Sequence, residues 1–107
     1  MISFDQFQQV EIKIGTVTAA ERLENSNKLL KLTVDFGTET RTILAGIGKT
    51  IDDPATLIGR QAPFVVNLEP KELAGAISEG MILAASADTG PVLLAPTTPV
   101  EPGTTVR

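Results

Sequence analysis

Leu30, Leu32, Val34 and Phe36 alternate with Leu29, Lys31, Thr33 and Asp35, and this period of two constrains the fold more than any other feature of the chain. Alternation puts one set on each face, which is a strand with one buried side. The pattern also opens the chain, where Val10, Ile12 and Ile14 alternate with Glu11 and Lys13. After Gly15 the apolar set moves to Val17 and Ala19. A change of phase at a glycine predicts a β-bulge there, of the kind that lets a long first strand close a small barrel. Glu21 to Asn27 is polar and turn-like, Gly37 marks a turn, and Arg41 to Ile47 reads as a third strand ending at Gly46 and Gly48. Ile51 to Gly59 reads as a short helix, with Asp53 as N-cap, Pro54 at the first helical position and Gly59 at its end. Phe64 to Val66 and Met81 to Ala85 are two further strands, and Asp88-Thr89-Gly90 turns into Pro91 to Ala95. At the N-terminus Ser3 and Gln6 suit a capping box, and Phe4 and Phe7 share a face, as in a lid over an open barrel end.

Three strands, a short helix and two more strands predict an all-β chain with the order of an OB-fold. That is a five-stranded barrel with a short helix between the third and fourth strands, here followed by an added C-terminal extended region kept open by Pro96, Pro99 and Pro102. An SH3-like barrel fits the strand count equally well, and the helix favours the OB-fold. No linker or repeat divides the sequence, so residues 1–107 are expected to form one domain. All four aromatic residues are Phe, which leaves the core to Ile, Leu, Val and Ala. A chain of 107 residues keeps much of its surface wet, and dimerisation would bury more.

The chain has no Cys and no His. This excludes disulfides, removes the usual zinc ligands and the commonest catalytic base, and is consistent with a cytoplasmic location. Met1 to Asp5 has neither the basic nor the apolar region of a secretory leader, and no apolar run reaches the length of a membrane span. Gly46-Ile47-Gly48-Lys49-Thr50 resembles the end of a phosphate-binding loop. That motif needs a glycine where Ile43 stands, and Pro54 interrupts the helix that should follow the lysine. The simpler reading is a strand end whose glycines allow close approach. Neither Asp52-Asp53 nor Glu21 and Glu24 has neighbours that would bury a carboxylate, so acid–base catalysis has no support. No cofactor is expected.

Lys28, Lys31, Arg41, Lys49 and Lys71 fall at strand ends or on outward strand positions. Barrels of this order bind oligonucleotides across the second and third strands, where a lysine meets phosphate as a point charge and an arginine bidentately. The same residues are equally an ordinary solvated surface, and the net charge of −4 argues against a basic footprint. Without Trp or Tyr, stacking of single-stranded bases is not expected.

Ile2-Ser3-Phe4-Asp5-Gln6-Phe7, Val10-Glu11-Ile12-Lys13-Ile14-Gly15, Ser26 to Leu32, Arg41 to Ile47, Val66-Asn67-Leu68-Glu69-Pro70 and Ser78-Glu79-Gly80-Met81 occur in an order that resembles the tRNA-binding domain family. Its members include the C-terminal domain of methionyl-tRNA synthetases, free-standing tRNA-binding proteins and, more distantly, CsaA. The resemblance runs from Ile2 to about Gly103. It implies an OB-fold whose C-terminal region builds a homodimer. It also implies structure-selective binding of tRNA without catalysis, in support of a methionyl-tRNA synthetase catalytic chain or as a free-standing protein. Carried over, the RNA face is Lys28, Lys31, Arg41, Asn67, Ser78, Glu79 and Met81, with Lys71 added as compensation for Glu72: phosphate contacts from Lys28, Lys31 and Arg41, hydrogen bonds from Asn67 and Ser78, apolar contact from Met81, and either a base edge or loop order from Glu79. Glu69, Glu72 and Ala45 depart from the family pattern. The two acids are expected to weaken binding and make its salt dependence shallow, with a slope of about −2 to −3 for three phosphate contacts. The alternative is a CsaA-like chaperone or dimerisation module with weak or lost RNA binding.

Overall fold

The structure is a computed structural model that describes all 107 residues. A short helix, α1 (Phe4–Gln8), precedes ten strands: β1 (Ile12–Arg22), β2 (Leu30–Asp35), β3 (Thr40–Ala45), β4 (Gln61–Val65), β5 (Lys71–Leu73), β6 (Ala76–Ser78), β7 (Met81–Ile82), β8 (Ala84–Ala87), β9 (Gly90–Leu93) and β10 (Thr105–Val106). A single 3₁₀ turn, Pro54–Leu57, lies between β3 and β4. Five strands in the order β3-β2-β1-β4-β7 curl into a nearly closed, OB-like barrel. β10 pairs with the first residues of β1, on the edge that β2 leaves free. β5–β6 and β8–β9 are separate hairpins.

The alternation in β2 does what its period dictates. Leu30, Leu32 and Val34 are fully buried and meet Val17, Ile43, Ala45, Ile47, Leu57, Ala62, Phe64 and Val66 in one core. Phe36 meets Phe64 edge-to-face, with ring centroids 5.5 Å apart. Asp53 caps the 3₁₀ turn by accepting the Ala55 N–H at 3.0 Å, and Pro54 opens it, as expected. The Ser3–Gln6 capping box is also formed, through reciprocal bonds of 2.8 and 3.1 Å.

Three local expectations are corrected. The bulge in β1 lies between Val17 and Ala19 and not at Gly15. Gly15 is instead a packing requirement, because a Cβ there would lie 2.7 Å from Phe36 Cε1 and closer still to Val34 Cγ1. Helix α1 is no lid: Phe4 is 71% exposed and none of its residues is buried. The strand expected over Met81 to Ala85 breaks at Leu83. Its first half closes on β4 and its second half turns away into the β8–β9 hairpin.

Candidate nucleic-acid interface

Directly opposed residues of an antiparallel pair share a face. Lys31 opposes Leu44, Thr33 opposes Thr42, and Asp35 opposes Thr40, so these six residues form the outer face of β2–β3. Lys31 is half-exposed there, 3.7 Å from Glu21 on neighbouring β1. An exposed pair of this kind is weak and readily exchanged for another anion. Lys28 precedes β2 and lies against the end of β3, where a Cβ on Gly46 would come within 3.1 Å of Lys28 Cε and 4.0 Å of Nζ. The Lys28 carbonyl accepts the Gly48 N–H at 2.7 Å, and a Cβ on Gly48 would lie 2.8 Å from that carbonyl oxygen. Gly46 and Gly48 therefore serve the close approach of two loops. Lys31 thus stands on the outer face of β2, and Lys28 at the entry to that strand, against the end of β3.

Arg41 is not on that face. It opposes Val34, whose side chain is in the core, so Arg41 points to the inner side at the end of the barrel. Its guanidinium grips Glu39 bidentately at 2.7 and 3.3 Å, and also donates to the Val66 carbonyl and, at 3.2 Å, to the Glu79 carbonyl. The hydrogen bond from Arg41 holds the Glu39 carboxyl below its ordinary range, and the same bond raises the Arg41 guanidinium. The outward placement expected from the sequence fails because one residue of register separates the two faces of a strand.

Asn67, Ser78 and Glu79 also bond within the protein. Asn67 accepts the Glu11 N–H at 2.9 Å and donates to the Gln9 carbonyl at 2.6 Å, which staples the linker between α1 and β1. Ser78 is buried; its hydroxyl accepts the Leu44 N–H at 2.9 Å and donates to the Gly80 carbonyl at 3.0 Å. The Glu79 carboxylate accepts the Thr42 N–H at 3.1 Å, while its own N–H donates to the Thr42 carbonyl at 2.8 Å. Lys71 and Met81 remain at the surface. Lys71 opposes Ser78 in the β5–β6 hairpin, and Met81 opposes Val65 on the outer side of β4 with 46% exposure.

One residue that the sequence did not single out supports the face. Arg22, at the end of β1, donates to the Gly48 carbonyl at 2.8 Å and to the carbonyls of Ile51 and Asp52, fixing the loop on which Lys28 rests. In the sequence it is one more cation in a polar stretch, and nothing there marks its long-range partners.

A nearly closed OB-like barrel with one lysine on its second strand and another at that strand's entry has the form of an oligonucleotide-binding module. The chain belongs to the tRNA-binding domain family, whose model, described as "Putative tRNA binding domain", matches residues 12–105. It is 43% identical over 107 residues to the methionine–tRNA ligase of Acidithiobacillus ferrooxidans and 49% identical over 107 residues to that of Methanoregula boonei. These alignments take in 99% and 100% of this chain, which spans 16% of the length of each ligase. Among solved structures it resembles a methionyl-tRNA-synthetase-related protein from Pyrococcus horikoshii, with TM-score 0.93 and 39% identity, covering 100% of this chain and 98% of the other. It also resembles the chaperone CsaA of Bacillus anthracis, with TM-score 0.89 and 35% identity, covering 100% and 99%.

Proposed function

We propose that residues 1–107 act as one non-catalytic domain that binds tRNA by its folded shape. The domain works as a homodimer in the cytoplasm, either appended to a methionyl-tRNA synthetase catalytic chain or free-standing. The observation that carries this reading is Lys31 on the outer face of β2–β3 with Lys28 at the entry to β2, in a chain of this family. Phosphate contacts come from Lys28, Lys31 and Lys71, and Met81 offers apolar surface to a sugar or base. Arg41, Asn67, Ser78 and Glu79, engaged within the protein, shape this surface from behind. With no Trp or Tyr to stack on bases, recognition falls on backbone geometry, which a folded RNA presents and a flexible strand does not.

The homodimer is supported by apolar surface left open at the N-terminus. Phe4, Phe7 and Val10 are exposed beside Val106 of β10, around a hollow of about 270 Å³. A second copy would bury these rings. Light scattering should give twice the monomer mass for the wild type and the monomer mass for the Phe4→Ser/Phe7→Ser variant.

Binding of bulk tRNA as a function of salt tests the RNA reading. Three phosphate contacts give a log–log slope of about −2 to −3, and Lys31→Ala reduces it by about one. Equal retention of tRNA by the wild type, Lys28→Ala and Lys31→Ala would refute the face. The CsaA-like alternative draws on the likeness to that chaperone, on the net charge of −4, and on an apolar cleft of about 450 Å³ between the barrel and the C-terminal segment. It predicts an intact dimer with no tRNA shift.

A further inference from the structure

Strand β3 is an end of the five-stranded order, so its outward N–H and C=O groups have no regular partner strand. The segment Ser78-Glu79-Gly80 supplies partners in a different way. Ser78 Oγ takes the Leu44 N–H, Glu79 Oε1 takes the Thr42 N–H, and the Glu79 N–H answers the Thr42 carbonyl. Arg41 reaches across to the carbonyls of Val66 and Glu79. Gly80 is wedged in the gap: a Cβ there would lie 2.8 Å from both Ile43 Cδ1 on β3 and the Val65 carbonyl oxygen on β4. One hydroxyl, one carboxylate and one glycine thus close the barrel between β3 and β4, and the chain then delivers Met81 to the outer surface.

The same seam attaches the β5–β6 hairpin to the barrel. Ser78 lies between the two lysines, since its hydroxyl holds Leu44, the partner of Lys31, and its strand partner is Lys71. We infer that Ser78 and Glu79 are positioning residues for tRNA binding: they set where Lys71 and Met81 stand relative to Lys31, and do not themselves touch RNA. This rests on the tRNA-binding reading above. Glu79 carries the wrong charge for a phosphate contact, and the Ser78 hydroxyl already spends its donor and an acceptor position inside the seam.

The test compares Glu79→Gln, which keeps the oxygen that accepts the Thr42 N–H, with Glu79→Ala, which removes it. Amide exchange at Thr42 and Leu44 reports the seam, and salt-dependent binding of bulk tRNA reports the face. Glu79→Gln should match the wild type in both. Glu79→Ala should lose protection at Thr42 and bind with a salt slope shallower by about one, because Lys71 no longer reaches phosphate. The double variant Glu79→Ala/Lys71→Ala should then bind no more weakly than the weaker single variant. Ser78→Thr, which retains the hydroxyl, should hold both readouts where Ser78→Ala loses them. Losses from Glu79→Ala and Lys71→Ala that simply add would overturn the inference, as would weakened tRNA binding with protection at Thr42 intact. A wild type that binds no tRNA at any salt removes the functional reading and this inference together, whereas additive losses on a binding wild type remove only the inference.

Discussion

Gly15 offers the sharpest test of the core. Its missing side chain makes room for Val34, which is fully buried, and for Phe36, which leans edge-on against Phe64. Gly15→Ala inserts a methyl group 2.7 Å from a Phe36 ring carbon and closer still to a Val34 methyl, so one of these side chains must leave its rotamer or the strands must part. Overpacking of this kind costs about 1–3 kcal/mol. The loss of backbone freedom in the unfolded chain offsets about 0.4–1 kcal/mol of that. The net loss is about 1–2 kcal/mol, which for a domain of this size lowers Tm by about 5–10 °C. Urea unfolding followed by circular dichroism should show a lower midpoint with an unchanged slope, the mark of altered stability without an altered denatured state. Val34→Ala removes the methyl group that the new Cβ strikes, so the double variant should be more stable than the sum of the two losses by about 1 kcal/mol. A Gly15→Ala protein as stable as the wild type, or losses that add without coupling, would show that Gly15 is not there for the fit.

Asn67→Ala removes two hydrogen bonds to the α1–β1 linker and should cost about 1–2 kcal/mol, seen as a lower Tm and faster exchange of the Glu11 amide. In the β5–β6 turn Ala74 and Gly75 take φ of +49° and +83°, a left-handed pair that a two-residue hairpin requires and alanine resists. Ala74→Asn should therefore raise stability by about 1 kcal/mol in chemical denaturation. Glu39 is held below its ordinary value of 4.5 first by the hydrogen bond from Arg41, which outweighs the opposing effect of desolvation, with lesser help from the charges of Arg41 and Lys13. A carboxylate with a lowered folded pKa stabilises the fold above the unfolded value and gives that up as pH falls through the folded one. Glu39→Gln should thus flatten the loss of Tm on acidification below about pH 4.5.

The barrel was legible where burial has a short period. The alternation in β2 predicted its buried face residue by residue, and the Asp53-Pro54 and Ser3–Gln6 signals named their caps, because each depends on neighbours within a turn or a strand. The β5–β6 hairpin escaped notice because its strands are three residues long and its turn carries Ala-Gly in place of Asn-Gly. The site was less legible. Lys31 takes the outward phase of β2, whereas Lys28 lies before the strand, against Gly46 and Gly48. Arg41 could not be placed without the register of β3 on β2, and a shift of one residue exchanges the faces. Asn67, Ser78 and Glu79 are polar residues beside turns in the sequence. Apart from the Ser78 bond to Gly80, their side-chain partners lie 34 or more residues away on the chain, a distance over which no local pattern speaks.

A ladder of peptide groups is indifferent to which amino acids carry it, and almost any substitution leaves it standing. Two of the hydrogen bonds that join β3 to Ser78 and Glu79 come from side chains, so that part of the junction is written in the genetic code and single nucleotide changes can erase it. Core positions such as Gly15 and Val34 aside, tolerance to variation should therefore be uneven around this barrel: wide along β1 and β2, where main chain meets main chain, and narrow over a few consecutive codons at the place where the circle is completed.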